Sequence, residues 1–236
     1  MIWRLLICFS LAISWSGAAT VRGEIVLKDL GRKHSKATDA SGVVVWLEQA
    51  PGGPPLPRPR PMRTQILQKN KTFTPHVLAI PVGSTVDLPN DDPIFHNAFS
   101  NYNGQIFDIG LYPPGSSRSV TFRRPGVVRV FCNIHSSMSA VIVVLNSPFY
   151  ATSTKDGTFE IRDVPNGLYR LSFYYERATD QTLTSLARTV EVKNAPEDLG
   201  RVAISESGYL PMPHLNKYGK DYPEPSEPET YPGARQ

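Results

Sequence analysis

The chain has 236 residues, of which 40% are hydrophobic and 19% are charged, and its formal net charge is +4. Apart from three arginines in the proline-rich stretch at 58–63 and the pair Arg123-Arg124, the basic residues are scattered along the sequence. This distribution argues against a surface for nucleic acid or another polyanion. The length suits one or two compact domains.

The first 23 residues have the features of a secretory signal peptide. Arg4 supplies a positive charge, residues 5–13 form an apolar run, and small residues follow at 16–19, as a signal peptidase requires. A membrane anchor is the weaker alternative, because the apolar run is well short of the roughly 20 residues that a spanning helix needs. We therefore predict a signal peptide at 1–23, a periplasmic product and no membrane span after cleavage. Cleavage after Ala18, after Ala19 or after Gly23 would each fit the pattern.

Removal of the signal peptide would leave Cys132 as the only cysteine, since Cys8 lies within the signal. In an oxidising compartment cysteines usually pair as disulfides. A single cysteine is therefore a buried bystander, half of an intermolecular bridge or a working thiolate. The residues around Cys132 indicate which of these three roles applies.

The remainder of the chain is built from short runs of β-branched and aromatic residues. Such runs occur at 43–47, 77–80, 127–131, 140–145, 168–175 and 189–192, with glycine, proline, asparagine and aspartate between them. Helical periodicity is nearly absent, so the pattern predicts an all-β fold of β-sandwiches.

Two segments lack this pattern. Residues 51–61 are so rich in proline and glycine that they indicate an extended linker. Residues 208–236 contain proline, tyrosine, glutamate and lysine without an apolar period, and we predict that they form a disordered tail. Within this tail, Met212 and His214 could at most hold copper weakly.

The stretch at 131–138 carries the most informative pattern. Cys132, His135 and Met138 are spaced three residues apart between two strongly β runs. A loop can turn three such side chains toward one point, whereas side chains along a straight strand alternate in direction. Thiolate, imidazole and thioether are ligands of a blue-copper centre, which also takes a second imidazole. His96 is the candidate for that position.

Further motifs occur in the order found in small cupredoxins such as plastocyanin and amicyanin: Phe73-Thr74-Pro75, Pro81-Val82-Gly83, Asn90-Asp91, His96-Asn97 and Pro125-Gly126. The segment at 62–147 therefore resembles a complete cupredoxin domain, which is a Greek-key β-sandwich. The spacing of the last three ligands is similar to that in amicyanin, although Ser136-Ser137 stand where amicyanin has a proline and an aromatic residue.

This resemblance implies one copper ion. His96, Cys132 and His135 would be its equatorial ligands, and Met138 would be the weak axial ligand. The resemblance also implies a supporting role for Asn97, whose backbone N–H would lie near the Cys132 sulfur and whose side chain would cross the two ligand loops.

Each of these residues alone has an ordinary explanation, since a cysteine or a methionine is often a packing residue. Together they favour a metal, because a bound ion would protect an unpaired periplasmic thiol from oxidation. Ser136 and Ser137 lie beside His135, but no orienting carboxylate or oxyanion hole is indicated. We therefore expect no enzyme. His76 and His34 are interpreted as a strand residue and a surface residue.

The leading functional hypothesis is a one-electron carrier that passes electrons through an exposed edge of His135 to a partner protein in the periplasm or envelope. The alternative is a copper storage or delivery protein that does not cycle the ion. A structural module with a vestigial site is a third possibility, and the completeness of the ligand set argues against it.

The segments at 152–161 and 164–171 resemble the carboxypeptidase regulatory-like domain, a transthyretin-like β-sandwich, and they contain an Asp156-Gly157 pair that suits a tight hairpin. A cupredoxin joined to this domain resembles bacterial methylamine-utilization-like proteins. Residues 24–50 have no place in the cupredoxin. We therefore predict that they pack on residues 148–207, so that the cupredoxin is inserted into the second sandwich. A plain tandem of the two sandwiches is the alternative.

Overall fold

The computed structural model of the protein describes residues 18–29, 39–101, 104–210 and 213–223. These ranges contain seventeen strands and one helix of seven residues, so the predicted all-β class is confirmed. Within them, no helix has both the length and the apolar composition that crossing a bilayer requires. His34, Cys8 and Met212 lie outside the described residues, as does most of the predicted signal peptide.

The first strand, β1 (Ala18–Lys28), begins before the predicted end of the signal peptide at Gly23. Ala19 and Val21 are buried in a hydrophobic core, and the backbone of residues 18–24 pairs with residues 158–165. Cleavage after Gly23 would remove half of this strand and open the core. Residues 18–23, which the prediction assigned to the signal peptide, thus belong to a sandwich in the structure, and the boundary at 23 stays a prediction.

The next strand, β2 (Val44–Gln49), is followed by the proline-rich stretch and then by a β-sandwich that we call the central sandwich. Its ten strands are β3 (Arg63–Gln65), β4 (Leu67–Lys69), β5 (Thr72–Thr74), β6 (Val77–Pro81), β7 (Thr85–Pro89), β8 (Phe99–Ser100), β9 (Phe107–Asp108), β10 (Ser117–Thr121), β11 (Gly126–Phe131) and β12 (Ser139–Leu145). One sheet has the order β10-β7-β3, the other has the order β6-β12-β11-β8-β9, and β4 and β5 form a hairpin. Side chains from both sheets fill the core between them.

The rest of the chain contributes β13 (Tyr150–Thr152), β14 (Thr158–Pro165), β15 (Gly167–Tyr174), α1 (Asp180–Leu186), β16 (Arg188–Val192) and β17 (Glu197–Ser205). These strands form two sheets, with the orders β14-β1-β17 and β13-β2-β15-β16. The two sheets share one hydrophobic core. We call this unit the flanking sandwich, because residues on both sides of the central sandwich build it.

Both early strands occupy inner positions in the flanking sandwich. β1 pairs antiparallel with β14 and parallel with β17, and β2 pairs antiparallel with β13 and β15. The amide of Ile25 also donates to the carbonyl of Gly157 at 2.8 Å. Gly157 has a φ of +80°, and a Cβ on it would lie 2.2 Å from the Ile25 oxygen. The turn between β13 and β14 therefore requires glycine at this position. The pairing of β1 and β2 with strands that follow the central sandwich is expected if the central sandwich is inserted into the flanking one, and it is not expected in a tandem arrangement.

A third hydrophobic cluster lies between the two sandwiches. Alternate side chains of β12 point into the central core, and the others point toward the flanking sandwich. This explains why the run at 140–145 is apolar without interruption, as is typical of a strand buried on both faces. The buried members of the cluster are Val44, Ala79, Val141, Val143, Leu145 and Tyr174.

A polar contact between His76 and Glu176 lies beside this cluster and joins the two sandwiches. The Nδ1 atom of His76 donates to the carbonyl of Ser139 at 3.0 Å, and its Nε2 atom lies 2.5 Å from a carboxylate oxygen of Glu176. Because neither partner can donate when Glu176 is ionised, both ring nitrogens carry protons. The hydrogen bond to Glu176 raises the pKa of His76 against the effect of burial, and the same bond lowers the pKa of Glu176.

These shifts predict that the contact weakens at alkaline pH. The pKa of His76 is raised above 6.5, so its contribution is complete below about pH 6.5 and is lost as the pH rises through the raised value. The contribution of Glu176 is lost only as the pH falls through a pKa below 4.5. Since half of the His76 side chain is exposed, His76→Gln should lower the free energy of unfolding by about 0.5 to 1 kcal/mol at pH 6.

Chemical denaturation followed through Trp46, which packs on the third cluster, would measure this difference. We expect it to approach zero by pH 9. Glu160→Gln is a suitable control, because Glu160 pairs with Arg162 on the surface and neither group titrates between pH 6 and 9. A His76→Gln difference that is the same at pH 6 and pH 9 would contradict the assignment of charge to His76.

Candidate metal centre

The structure brings three of the four predicted ligands together. The candidate ligand atoms of His96, Cys132 and His135 all lie within 4.8 Å of one another. The Cys132 sulfur is 3.5 Å from Nδ1 of His135 and 3.9 Å from Nδ1 of His96. All three side chains are buried, and they form the only such group of histidine, cysteine and acidic residues among the described residues.

The loop at 132–138 has the geometry that the three-residue spacing requires. It joins β11 to β12, which pair antiparallel up to Phe131 and Ser139. The amide of Cys132 donates to the carbonyl of Met138 at 3.2 Å, and the amide of Met138 donates to the carbonyl of His135 at 3.1 Å. These bonds close the loop on itself, so that Cys132 and His135 face the same side.

His96 reaches the same point from a different part of the central sandwich. Its amide donates to the carbonyl of Tyr112 at 3.2 Å, and its carbonyl accepts from the amide of Tyr112 at 2.9 Å. This isolated bridge holds the segment before β8 against the segment before β10. The rings of His96 and His135 then lie edge to face, with their centroids 4.9 Å apart.

Met138 lies at the end of the same loop. It is fully buried and belongs to the same apolar cluster as Cys132. Its position is compatible with the predicted axial role, which stays a prediction.

Asp92 has a role that the sequence reasoning missed. One of its carboxylate oxygens lies 2.7 Å from Nε2 of His96, and because an ionised carboxylate only accepts, Nε2 carries the proton. The lone pair of His96 is therefore on Nδ1, the atom that faces Cys132. A carboxylate behind a histidine ligand commonly fixes the tautomer in this way. The only signal in the sequence was an aspartate four residues before the histidine.

The surroundings of Asp92 and His96 favour an ionised carboxylate and a neutral imidazole. Burial opposes the ionisation of Asp92, but the amides of Lys71 and Asn70 and the His96 ring together hold its pKa below the ordinary value. Burial lowers the pKa of His96 more than Asp92 raises it. A neutral His96 beside an ionised Asp92 is the form that a metal ligand needs.

Asn97 joins the two ligand loops through its side chain. Its Oδ1 atom accepts from the amide of Asn133 at 3.3 Å, and its Nδ2 atom donates to Asp108 at 2.8 Å. Asn97 follows His96, and Asn133 follows Cys132. The side chain therefore crosses between the loops as the resemblance implied, while the proposed approach of its own N–H to the sulfur stays a prediction.

The donor set fits a copper ion. Two atoms bound to one ion at about 2.0 to 2.3 Å can be at most about 4.6 Å apart, and both sulfur–nitrogen distances satisfy this limit. One thiolate and two imidazoles with a methionine nearby are the ligands of a blue-copper centre. The site is also buried in an apolar core, which excludes water from it.

No protein-family model and no curated protein matches the chain. Solved structures similar to part of it include a copper-containing nitrite reductase from Thermus scotoductus, at 29% identity over 36% of this chain and 23% of that one, with a TM-score of 0.35. A purple cupredoxin from Nitrosopumilus maritimus is 28% identical over 35% of this chain and 99% of its own length, with a TM-score of 0.32. A reduced Cu(I) form of an amicyanin mutant is 20% identical over 35% of this chain and 82% of its own length, with a TM-score of 0.34. This chain thus spans less than a quarter of the nitrite reductase.

Two expectations about the surroundings of the site were wrong. His135 was expected to present an exposed edge, but it is only 8% exposed. The tail at 208–236 was expected to be disordered, but residues 213–223 pack beside the ligand loop, while residues 224–236 lie outside the described residues. His214 stacks on Phe131 with ring centroids 4.0 Å apart, and it is not part of the ligand group.

Proposed function

We propose that the protein binds one copper ion through His96, Cys132, His135 and Met138 and acts as a one-electron carrier. The observation that carries this proposal is the convergence of a buried thiol and two buried imidazoles within 4.8 Å. Copper supplies reversible exchange of a single electron between its Cu(I) and Cu(II) states when it is bound. The role of the chain is to hold the donor atoms in nearly one geometry for both states.

Several contacts serve this purpose. The loop bonds between Cys132, His135 and Met138 fix the spacing of the donors. Asp92 fixes the orientation and the tautomer of His96, and Asn97 ties the two ligand loops together. A site held in this way reorganises little when its charge changes, which favours fast electron transfer.

We further propose that the protein works in the periplasm with a redox partner protein of the periplasm or envelope. The support is the apolar run at 5–13 with its flanking residues, which is typical of export. The transthyretin-like resemblance of the flanking sandwich and the methylamine-utilization-like resemblance of the whole chain stay proposals, and neither supplies a function by itself. We propose a carrier that does not itself turn over a substrate.

Copper storage or delivery is the competing function. Delivery requires the ligands of an acceptor to reach the ion, and His96, Cys132 and Met138 are fully buried while His135 is nearly so. Burial of all four side chains slows such exchange, so it favours the carrier.

Voltammetry combined with a metal-transfer assay would test the carrier. We expect a reversible one-electron wave over many cycles, and slow loss of copper to a competing chelator in both oxidation states. Asp92→Asn is an informative comparison, because it keeps all four ligands while removing the charge behind His96. Irreversible loss of copper at the first reduction would favour delivery and contradict the carrier.

A further inference from the structure

Residues 213–223 contact the loop at 132–138 where it carries Cys132. The hydroxyl of Tyr222 donates to the backbone carbonyl of Cys132 at 2.7 Å. The amide of Lys217 donates to Oδ1 of Asn133 at 2.9 Å. With His214 stacked on Phe131, this segment contacts the cysteine and the residues on both sides of it.

Lys217 also completes a closed ring of hydrogen bonds. Its Nζ atom lies 2.7 Å from one carboxylate oxygen of Asp108, and the other oxygen accepts from Asn97 at 2.8 Å. Asn97 in turn accepts from the amide of Asn133, and Asn133 accepts from the amide of Lys217. The ring therefore joins the segment to the residue after His96 and to the residue after Cys132.

The ring contains a charged pair at its outer edge. Burial opposes the ionisation of Asp108, but the bonds from Lys217, Gly110 and Asn97 hold its pKa below the ordinary value. The bond to Asp108 raises the pKa of Lys217. Asp108 is 40% exposed in its side chain, so the pair adds little stability by itself. Its effect is geometric, because the carboxylate orients Asn97 between the two ligand loops.

We propose that residues 213–223 are a positioning element of the metal centre, with Lys217 and Tyr222 as the positioning residues. They hold the backbone of Cys132 and the side chain of Asn133 against the loop of His96, and they thereby set the distance between the sulfur and the imidazoles before any metal binds. The copper measurements below rest on the proposed function, whereas the measurements on the metal-free protein do not.

The full chain with Lys217→Ala and Tyr222→Phe combined would test this role. In the metal-free protein, the rate at which iodoacetamide alkylates Cys132 should rise roughly tenfold. Local opening of the loop is then no longer opposed by the Tyr222 bond to the Cys132 carbonyl, nor by the Lys217 Nζ bond that orients Asn97 through Asp108. The backbone amide of residue 217 keeps its bond to Asn133 in this variant. With Cu(II), the ratio of the absorption bands from thiolate to copper should change, since it depends on the geometry around the sulfur. Lys217→Arg should retain the wild-type behaviour, because arginine can also pair with Asp108.

Lys220→Ala is the matched control, since Lys220 is an exposed lysine of the same segment and its hydrogen bonds with Asn216 come from its backbone. It should change neither measurement. Wild-type alkylation rates and wild-type band ratios in the double variant would overturn the positioning role. If the double variant melts at a lower temperature, Tyr222→Phe alone provides the same comparison with one bond removed. If copper fails to bind to the wild type but the alkylation rates still differ, the proposed function is wrong and the positioning role stands.

Discussion

Cu(II) added to the purified protein should produce an intense absorption from thiolate-to-copper charge transfer, and Cys132→Ser should abolish it. Cys132 is the only cysteine among the described residues, and its sulfur lies within 3.9 Å of both candidate imidazole nitrogens, so we expect it to supply this band. Met138→Leu should keep the colour and raise the reduction potential, because the loss of a weak axial donor favours Cu(I). Titration with Cu(II), visible spectroscopy and voltammetry would measure all three effects.

Ser136→Ala is the matched control for these variants. Ser136 lies in the same loop, between the proposed ligands, and it is exposed, so its replacement should leave both colour and potential unchanged. A colourless wild type with intact His96, Cys132 and His135 would contradict a blue-copper site.

Separation of the chain into fragments should abolish folding of the flanking sandwich and spare the central one. Residues 148–207 alone lack β1 and β2, which hold inner positions in both sheets. The missing strands and the residue directly before β2 supply buried aliphatic residues worth about 1.5 kcal/mol or more each: Val21, Ile25, Val43, Val45 and Leu47. Their combined loss is comparable to the entire stability of a typical domain, about 5 to 15 kcal/mol.

Residues 18–50 joined to 148–207 by a short Gly/Ser linker should restore a cooperative transition. Residues 62–147 alone should fold and bind copper, with altered absorption bands because they lack the positioning element at 213–223. Circular dichroism during heating would separate these outcomes. Cooperative melting of residues 148–207 alone would show that the insertion hypothesis is wrong.

The sequence was most informative where local pattern and local structure coincide. Cys132, His135 and Met138 lie in one tight loop, so their spacing alone indicated a shared site. The apolar run at 140–145 similarly indicated a strand. The sequence could not show that one face of this strand packs against the flanking sandwich, because a hydrophobic side chain does not specify its partner.

The features that the sequence missed depend on contacts between distant segments. Residues 213–223 have no apolar period that could have predicted their order. They are held in place by hydrogen bonds and a stacked histidine instead. Asp92 could be recognised only once the ring of His96 was seen to face it. At the N-terminus, small residues such as Ala18 and Ala19 suit a signal peptidase as well as the start of a strand, so the boundary could not be placed from the sequence.

The chain passes between the two sandwiches twice, once through the stretch at 51–61 and again between β12 and β13. A domain tethered by one flexible connection can swivel about it, whereas two connections and a shared apolar seam suppress that rotation. The loop at 132–138 thus keeps a fixed orientation relative to the flanking sandwich. Any assembly that anchors the flanking sandwich consequently fixes the orientation of the loop at 132–138 as well. For the proposed electron carrier, such an assembly would fix the direction from which a partner can approach the metal centre.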